Sequence, residues 1–379
     1  MTKANMLWIF VLAFIMPIGF NSACEGGSCG GSGDCCKPSP APPQLPNLAV
    51  VTWAHAVNSD DFLETTLKNE GIKMIEADVV MGTVVTQPQT EKPDTSTPKA
   101  EPQKKSDATG NENAAGSNSG KEPEKPTATV PIMAHPPSVT SDLSFEQFVY
   151  KVAKYNAGAK ETKAKGVKLD FKSIEAVKNA LPLIREAKFE LSPVWINADI
   201  LAGPGASTTK PVDAKAFFDA VKAEVGLQKA TLSIGWTTNL VDNAQYTDAN
   251  VEEMLKTIRE NIKSDEDKLH PITFPVRAAI AAESQAALDK LVTEVEKMNI
   301  ATTLTIWTAA SDEKKIDMKK LQALINHFGT SKVYVDLDDK LKGGLTLVPK
   351  PNGASSLVNF GLLNVATFLF ALFLRNGFY

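Results

Sequence analysis

The chain has 379 residues, of which 43% are hydrophobic and 22% charged, and its 40 Lys and Arg residues are balanced by 44 Asp and Glu residues. This composition is typical of a soluble globular protein with a slight acidic excess. It argues against a nucleic-acid-binding protein, which would carry a strongly basic surface. At this length the chain can form two ordinary domains or one larger domain of about 250 residues.

The first residues have the features of a secretory signal peptide. Lys3 precedes an apolar run over residues 6–20, and the small residues behind it fit cleavage after Ala23. The alternative is an N-terminal membrane anchor, but the run is shorter than the ~20 residues that a bilayer span needs. The pattern therefore predicts a secreted, extracellular protein.

All four cysteines lie close to the predicted mature N-terminus, at Cys24, Cys29, Cys35 and Cys36. The rest of the chain has no thiol, which excludes a catalytic cysteine or a cysteine-bound zinc there. In a secreted protein these residues can form a small disulfide knot or a link to another chain. Their pairing cannot be deduced from the sequence.

A long segment in the first half of the chain lacks the residues that build a core. The 44 residues from Thr86 to Thr129 contain no Val, Ile, Leu, Met, Phe, Tyr, Trp or Cys. Such a segment cannot bury enough apolar surface to offset the entropy lost on ordering. We therefore predict a disordered insertion over residues 85–130.

The last residues have the order of a glycosylphosphatidylinositol (GPI) attachment signal. Small residues at 352–354, a semi-polar spacer at 355–359 and an apolar tail at 361–374 follow one another as such a signal requires. Asn352 is the candidate attachment residue. The alternative is a transmembrane helix over residues 357–374, which two asparagines would interrupt. Either form would hold the protein at the cell surface.

Between these signals, short β-rich runs alternate with amphipathic helical stretches. Eight runs predict strands, namely Leu48–Trp53, Lys73–Val79, Gly166–Phe171, Pro193–Asp199, Ala230–Trp236, Ile272–Arg277, Thr302–Trp307 and Lys332–Leu337. The stretches between them, for example residues 321–328, repeat apolar residues at the spacing of one buried helix face. Pro182 lies inside the predicted helix over residues 173–188 and should kink or split it.

Eight strands alternating with helices predict parallel strands joined by right-handed crossovers. The 291 residues from Leu48 to Asp338, less the 44 of the insertion, leave 247, which is close to the usual size of a closed barrel. An open doubly wound sheet fits less well, because no Gly-x-Gly-x-x-Gly motif follows the first strand. We therefore predict an α/β fold, a (β/α)8 TIM-like barrel with a long disordered loop between strand 2 and strand 3.

The predicted organisation follows the chain from end to end. It comprises a signal peptide (1–23), a Cys/Gly/Pro-rich tether (24–46), the barrel (47–340) with its disordered insertion (85–130), a linker with the candidate GPI site (341–356) and a hydrophobic tail (357–379). Only the barrel has the composition to bury a large core.

Polar side chains recur at the C-terminal ends of the predicted strands, where a parallel barrel keeps its active site. In chain order they are His55, Glu76, Asp78, Lys168, Asp170, Lys172, Asn197, Asp199, Trp236, Arg277, Trp307 and Asp336. Because side chains alternate along a strand, Glu76 and Asp78 share one face, as do Asp170 and Lys172. Any single residue could be a helix cap or one half of an ion pair, but together they favour a functional rim.

The residue types at this rim indicate metal-assisted chemistry. Three carboxylates that converge at a rim suit a hard cation such as Mg²⁺ or Ca²⁺. The imidazoles of His55 and His135 suit proton transfer near neutral pH. Six other residues at the strand ends are candidates for contacting a substrate, namely Lys168, Asn197, Asp199, Trp236, Arg277 and Trp307.

These residues resemble the glycerophosphodiester phosphodiesterase and phospholipase-C-like barrel superfamily. More closely, the chain is similar to the menorin family, through five segments in the same order: 52–56, 75–79, 131–137, 167–173 and 193–201. The menorin resemblance implies a secreted or cell-surface protein that acts in tissue patterning through adhesion-receptor complexes. The superfamily resemblance implies an enzyme that hydrolyses a phospholipid-derived or similar phosphodiester.

The superfamily resemblance also implies roles for individual residues. Glu76, Asp78 and Asp170 would hold the cation, while His55 and His135 would act as general base and general acid. Lys172 would stabilise charge on the phosphoryl oxygens together with the metal.

The chain departs from the enzyme pattern at three positions. Ala56 and Pro136 stand where the enzymes usually have Arg and Asp, and Asp170 is one carbon shorter than the usual Glu. Loss of the Arg removes a bidentate phosphate contact. The alternative function is therefore a non-catalytic adhesion or receptor-complex protein that uses the barrel as a binding platform.

Overall fold

The computed structural model describes residues 45–85, 128–160, 163–187, 193–224, 227 and 230–347. The predicted signal peptide, the four cysteines, most of the predicted insertion (86–127) and the C-terminal tail with Asn352 lie outside the described residues. No helix in the described ranges is long and apolar enough to cross a membrane.

The described residues form a nearly closed parallel barrel. Their ten strands are β1 (Trp53–Ala54), β2 (Met74–Val84), β3 (Val130–Met133), β4 (Thr140–Ser141), β5 (Gly166–Phe171), β6 (Val194–Ala202), β7 (Thr231–Thr237), β8 (Ile272–Arg277), β9 (Thr302–Trp307) and β10 (Val333–Asp336). Eight of them are hydrogen-bonded in the order β1-β2-β5-β6-β7-β8-β9-β10. The predicted α/β barrel is confirmed.

Helices alternate with these strands and cover the barrel. They are α1 (Asp60–Lys68), α2 (Phe145–Gly158), α3 (Ile174–Ala187), α4 (Ala214–Ala223), α5 (Asp248–Asn261), α6 (Ala278–Ala281), α7 (Gln285–Glu296), α8 (Met318–Phe328) and α9 (Asp339–Gly343). In α2, Ser144 and Gln147 form a capping box that satisfies backbone N–H groups of the first turn. The apolar residues of α2 are buried at the spacing of one helix face, so the periodicity located this element correctly.

The first predicted strand is much shorter than expected. Residues 48–50 form a 3₁₀ helix, and only Trp53 and Ala54 pair with β2. Asn47 caps this turn by accepting a hydrogen bond from the N–H of Ala49, while the N–H of Leu48 donates to the carbonyl of Thr330 at 2.7 Å. The backbone N–H groups at the start of the predicted strand are thus hydrogen-bonded to Asn47 and to the loop before β10, and not to a neighbouring strand.

Two strands near the insertion were not predicted. β2 continues five residues past its predicted end at Val79, and β3 pairs with this extension in antiparallel fashion, from Val79 opposite Met133 to Gly82 opposite Val130. β4 pairs with the last residues of β2. The predicted insertion is therefore bounded on both sides by paired strands that extend from the barrel.

Pro182 does not split its helix. α3 runs without a break from Ile174 to Ala187. Its buried face has residues on both sides of the proline, Val177 before it and Ile184 after it, so packing against the barrel compensates for the hydrogen bond that the proline cannot donate. Of the two predicted outcomes, a kink or a split, the structure excludes the split.

Aromatic side chains pack together in the barrel interior near the N-terminal ends of the strands. The ring centroids of Trp195 and Tyr334 lie 4.7 Å apart, and that of Trp53 lies 5.4 Å from Trp195. Their strands β6 and β10 are not neighbours in the sheet, so these rings meet across the barrel interior. Met74 on β2 packs with these rings. Residues two positions further along the chain face the same interior, one layer nearer the C-terminal ends of the strands. That layer contains His55, Glu76, Asn197 and Asp336.

Candidate metal centre

Three carboxylates converge above the aromatic layer. Glu76 and Asp78 lie on β2, and Asp78 stands directly opposite Asp170 in the register between β2 and β5. One oxygen of each carboxylate lies within 4.8 Å of the other two, and Glu76 and Asp78 are almost completely buried. The structure thus brings together the three residues predicted as metal ligands.

A tight turn after β1 fixes two of these carboxylates. The N–H of Ala56 donates to Oε2 of Glu76 at 2.8 Å, and Nδ2 of Asn58 donates to Oδ2 of Asp78 at 2.8 Å. Oδ1 of Asn58 also accepts from the N–H of Asp78 at 2.9 Å. Ala56 adopts a φ of 56°, a left-handed conformation that is strained for a residue with a Cβ. The turn therefore holds one oxygen of each carboxylate in place.

The third carboxylate is held in the same way from the opposite side. Nδ2 of Asn197 donates to Oδ1 of Asp170 at 2.7 Å, and Oδ1 of Asn197 accepts from the hydroxyl of Ser233 at 2.5 Å. Asn197 is buried, and this chain of hydrogen bonds fixes its amide orientation. Asn197, predicted as a substrate contact, thus orients the carboxylate of Asp170.

The remaining oxygens of the three carboxylates face two lysines. Nζ of Lys172 lies 2.8 Å from Oδ1 of Asp78 and 2.5 Å from Oδ2 of Asp170. Nζ of Lys168 lies 3.9 Å from Oε1 of Glu76. Each of these three oxygens therefore faces a positively charged side chain.

Burial and neighbouring charges shift the pKa values of this cluster in opposite directions. Burial raises the pKa of Glu76, and the positive charges of His55 and Lys168 counteract it only in part. Burial also raises the pKa of Asp170, but the positive charges of Lys172 and Lys168 outweigh this effect and hold the pKa below its ordinary value. Burial lowers the pKa of Lys172, yet the charges of Asp170 and Asp78 raise it overall. Asp170 and Lys172 are therefore both ionised at neutral pH.

His55 lies at the edge of the carboxylate cluster and bridges two strands. Its Nδ1 is 2.9 Å from Oδ2 of Asp336 on β10 and 3.6 Å from Oε2 of Glu76. Burial lowers the pKa of His55, but the charge of Glu76 and the hydrogen bond to Asp336 outweigh it and raise the pKa to about 9. The side chain is 45% exposed, so Nε2 is the ring nitrogen left for a solute.

His135 lies beside the strand that bears the metal ligands. The N–H of the preceding Ala134 donates to the carbonyl of Asp78 at 3.1 Å. The imidazole is exposed, and its Nδ1 lies 2.7 Å from the carbonyl of Pro136. The structure therefore places His135 near the rim, while the hydrogen bond of its ring goes to its own loop.

Asp199 is a fourth acidic residue at the rim. Burial and the negative charge of Asp170 raise the pKa of Asp199 to about 7. Gly235 provides the space for this side chain, since a Cβ at that position would lie 2.8 Å from Oδ1 of Asp199. A carboxyl group with this pKa can both donate and accept a proton near neutral pH.

Trp236 does not face the carboxylates. Its indole is 1% exposed and packs against Tyr246 and Phe274, with ring centroids 5.1 Å and 6.1 Å away. Gly235, the preceding residue, lies against the rim residue Asp199, so alternation turns Trp236 outward into the core. The expectation that Trp236 contacts a substrate does not agree with this position.

Arg277 forms an ion pair with Asp312, a residue that the sequence analysis did not identify. Its Nε and Nη2 donate to the two carboxylate oxygens of Asp312 at 2.6 Å and 2.8 Å, and its guanidinium lies 5.6 Å from the ring centre of Trp307. Asp312 lies in the short 3₁₀ helix Ala310–Lys315 after β9, and no motif marks it. The two donors that would grip a phosphate are thus already paired.

Comparisons with known proteins identify the family of this chain. The Menorin N-terminal domain model matches residues 47–112 and 116–342. Human protein FAM151B is 36% identical over 211 residues, which cover 55% of this chain and 68% of that protein. The barrel is also consistent with a place in the glycerophosphodiester phosphodiesterase-like superfamily. The chain belongs to the menorin family.

Proposed function

We propose that this protein is an extracellular, cell-surface member of the menorin family whose barrel binds a divalent cation and hydrolyses a phosphodiester. One observation carries the proposal: three carboxylates converge within 4.8 Å of one another, and each has one oxygen fixed by a protein donor. Preorganised oxygen ligands of this kind lower the cost of assembling a metal site.

The donor set suits Mg²⁺ or Ca²⁺. Glu76, Asp78 and Asp170 supply only oxygen atoms, which hard cations prefer over the nitrogen and sulfur ligands of zinc. When bound, such a cation would polarise a phosphoryl oxygen and offset the charge that develops on it. The fixed outer oxygens leave these three residues ready to hold the ion without rearrangement of the backbone.

Proton transfer falls to His55 and His135. The hydrogen bond to Asp336 orients the imidazole of His55 and leaves Nε2 to accept the proton of the attacking hydroxyl or water. The negative charge of Glu76 raises the pKa of His55, and a cation bound to Glu76 would offset that charge. The exposed His135 would then donate a proton to the leaving oxygen. These are the base and acid roles that the superfamily resemblance implies.

The cation site is tested first, by titrating the purified protein with CaCl₂ and MgCl₂ in a calorimeter. We expect saturable binding that Glu76→Gln abolishes, because this change removes one anionic ligand while keeping its shape. Glu175→Gln on the exposed surface of α3 is the matched control and should bind as the wild type does. Absence of binding in the wild type would overturn the metal-dependent function.

Hydrolysis is tested next, on a panel of glycerophosphodiesters and lysophospholipids in the presence of the bound ion. We expect turnover by the wild type and by His327→Gln, which alters an exposed histidine on α8. His55→Gln and His135→Gln should each reduce turnover at least ~100-fold, the usual contribution of a general acid or base. A wild type that hydrolyses no member of the panel with either ion would contradict the enzymatic proposal.

A second candidate function is a non-catalytic platform that binds adhesion receptors. The observation that favours it is the pairing of Arg277 with Asp312, together with Ala56 at the place of the usual phosphate-binding arginine. In this case His55→Gln and His135→Gln would leave receptor binding and biological function intact. Loss of function in both variants, with folding preserved, would favour catalysis instead.

Attachment to the cell surface is proposed from the sequence alone. The segment after residue 347 lies outside the described residues, and Asn352 remains the candidate GPI site. Treatment of expressing cells with a phosphatidylinositol-specific phospholipase should release the protein. Retention after treatment would favour a transmembrane tail.

A further inference from the structure

The ammonium group of Lys172 lies against two of the three carboxylates that are proposed to hold a cation. It contacts Oδ1 of Asp78 at 2.8 Å and Oδ2 of Asp170 at 2.5 Å. These are the inward oxygens, because the outward oxygens of both residues accept hydrogen bonds from Asn58 and Asn197. A divalent ion and the ammonium group of Lys172 would therefore compete for the same two oxygens.

Of these groups, the lysine side chain has the most freedom to move. The carboxylates are fixed by their outer hydrogen bonds, whereas the side chain of Lys172 is 23% exposed and so has a path to solvent. Its backbone is anchored, since the N–H of Lys172 donates to the carbonyl of Val79 at 3.1 Å. The long side chain can thus swing outward without any change in the strand.

Lys168 differs from Lys172 in both contact and exposure. Its side chain is 5% exposed, and its Nζ lies 3.9 Å from Oε1 of Glu76. It has no comparable path to solvent and lies at a longer distance from the carboxylate. Lys168 therefore acts as a permanent counter-charge, while Lys172 can exchange with an ion.

We propose that Lys172 is a resident counter-cation that stabilises the carboxylate cluster and that a divalent ion must displace. This inference rests on the proposed metal site and adds a regulatory property to it. The ion binds only after two ion pairs break, so Lys172 weakens its apparent affinity. The displaced ammonium group stays tethered at the rim, where it can bind an anionic group.

The test compares the wild type with Lys172→Gln, Lys172→Arg and the surface control Lys178→Gln on α3. Calorimetric titration with CaCl₂ and MgCl₂ should show that Lys172→Gln binds at least ~10-fold more tightly, since one charged hydrogen bond accounts for about one factor of ten. Lys172→Arg keeps the charge and should not bind more tightly than the wild type. Lys178→Gln should match the wild type.

A second measurement uses the unmodified protein and does not depend on the folding of a variant. Lysine acetylation with a soluble reagent, mapped by mass spectrometry, reports the exposure of each ammonium group. Lys172 should be protected in EDTA and become reactive when the ion is added, whereas Lys168 should stay protected in both conditions. Lys178 should react equally in both.

The outcomes separate this inference from the proposed function. If the wild type binds the ion through Glu76 but Lys172→Gln binds no more tightly and Lys172 stays protected, the counter-cation role is wrong and the metal site stands. If neither wild type nor Lys172→Gln binds either ion, the metal site itself fails and the inference fails with it. Tighter binding together with ion-dependent exposure of Lys172 supports both.

Discussion

Replacing Asn58 by alanine tests whether the turn after β1 builds the carboxylate cluster. The amide of Asn58 donates to Oδ2 of Asp78 at 2.8 Å and accepts from the N–H of the same residue at 2.9 Å. The first bond ends on a carboxylate oxygen and contributes about 1.5–3 kcal/mol, and the second contributes about 1 kcal/mol. Asn58→Ala should therefore lower the free energy of unfolding by about 2–4 kcal/mol.

The substitution should affect stability and ion binding together. The melting temperature should fall by about 5–10 °C, as the size of this chain and the loss of stability require. Affinity for Ca²⁺ or Mg²⁺ should fall ~10–100-fold, because an outer hydrogen bond that orients a metal ligand is lost. Thermal unfolding in EDTA and calorimetric titration measure the two effects separately.

The matched control for this substitution is Asn179→Ala. Asn179 is exposed on α3 and donates its only side-chain hydrogen bond in the described structure to the carbonyl of Glu175, within the same helix. Its replacement should change the free energy of unfolding by less than about 0.5 kcal/mol. If Asn58→Ala cost no more than this control, the two bonds to Asp78 would be energetically unimportant and the reasoning would be refuted.

Three further predictions follow from particular contacts. Ala56→Gly should stabilise the protein by about 1 kcal/mol in chemical denaturation, because φ at this position is 56°; an unchanged or lower stability would show that the strain is absent. Gly235→Ala should destabilise by about 1–3 kcal/mol, since a Cβ would lie 2.8 Å from both Oδ1 of Asp199 and Cγ of Pro275; a variant as stable as the wild type would mean that both groups move aside freely. Burial lowers the pKa of His270 below its ordinary value of 6.5. The free energy of unfolding should therefore fall as the pH drops below that ordinary value, because the unfolded chain then binds a proton that the folded protein does not. Denaturation from pH 7 to pH 5 should show a flatter profile for His270→Gln, and parallel profiles would exclude this residue as the cause.

The metal ligands could be predicted because they depend on local geometry. Glu76 and Asp78 are two residues apart on one strand, and alternation alone puts both side chains on one face. Asp170 joined them because the C-terminal ends of adjacent parallel strands meet at one rim, as the register opposite Asp78 shows. Such inferences need only the strand positions.

The support of the site depends on contacts that no local pattern encodes. Asp336 contacts His55 across 281 residues of sequence, and Asp312 pairs with Arg277 from a short 3₁₀ helix. The hairpin strand β3 consists of four residues that include Pro131, and nothing in its composition separates it from a loop. The position of Trp236 follows from strand alternation, because the preceding Gly235 lies against Asp199 at the rim and the indole of Trp236 therefore points into the core.

The pair formed by His55 and Asp336 also has a consequence for biosynthesis. No backbone pairing joins β1 to β10 among the described strands, and this side-chain contact connects the first and last strands at the rim. During translation, all three carboxylate residues emerge from the ribosome long before Asp336 does. A nascent or truncated chain that ends before β10 would thus hold the acidic ligands without the group that orients the histidine. The complete site can form only after the last strand has been translated and has folded onto the barrel.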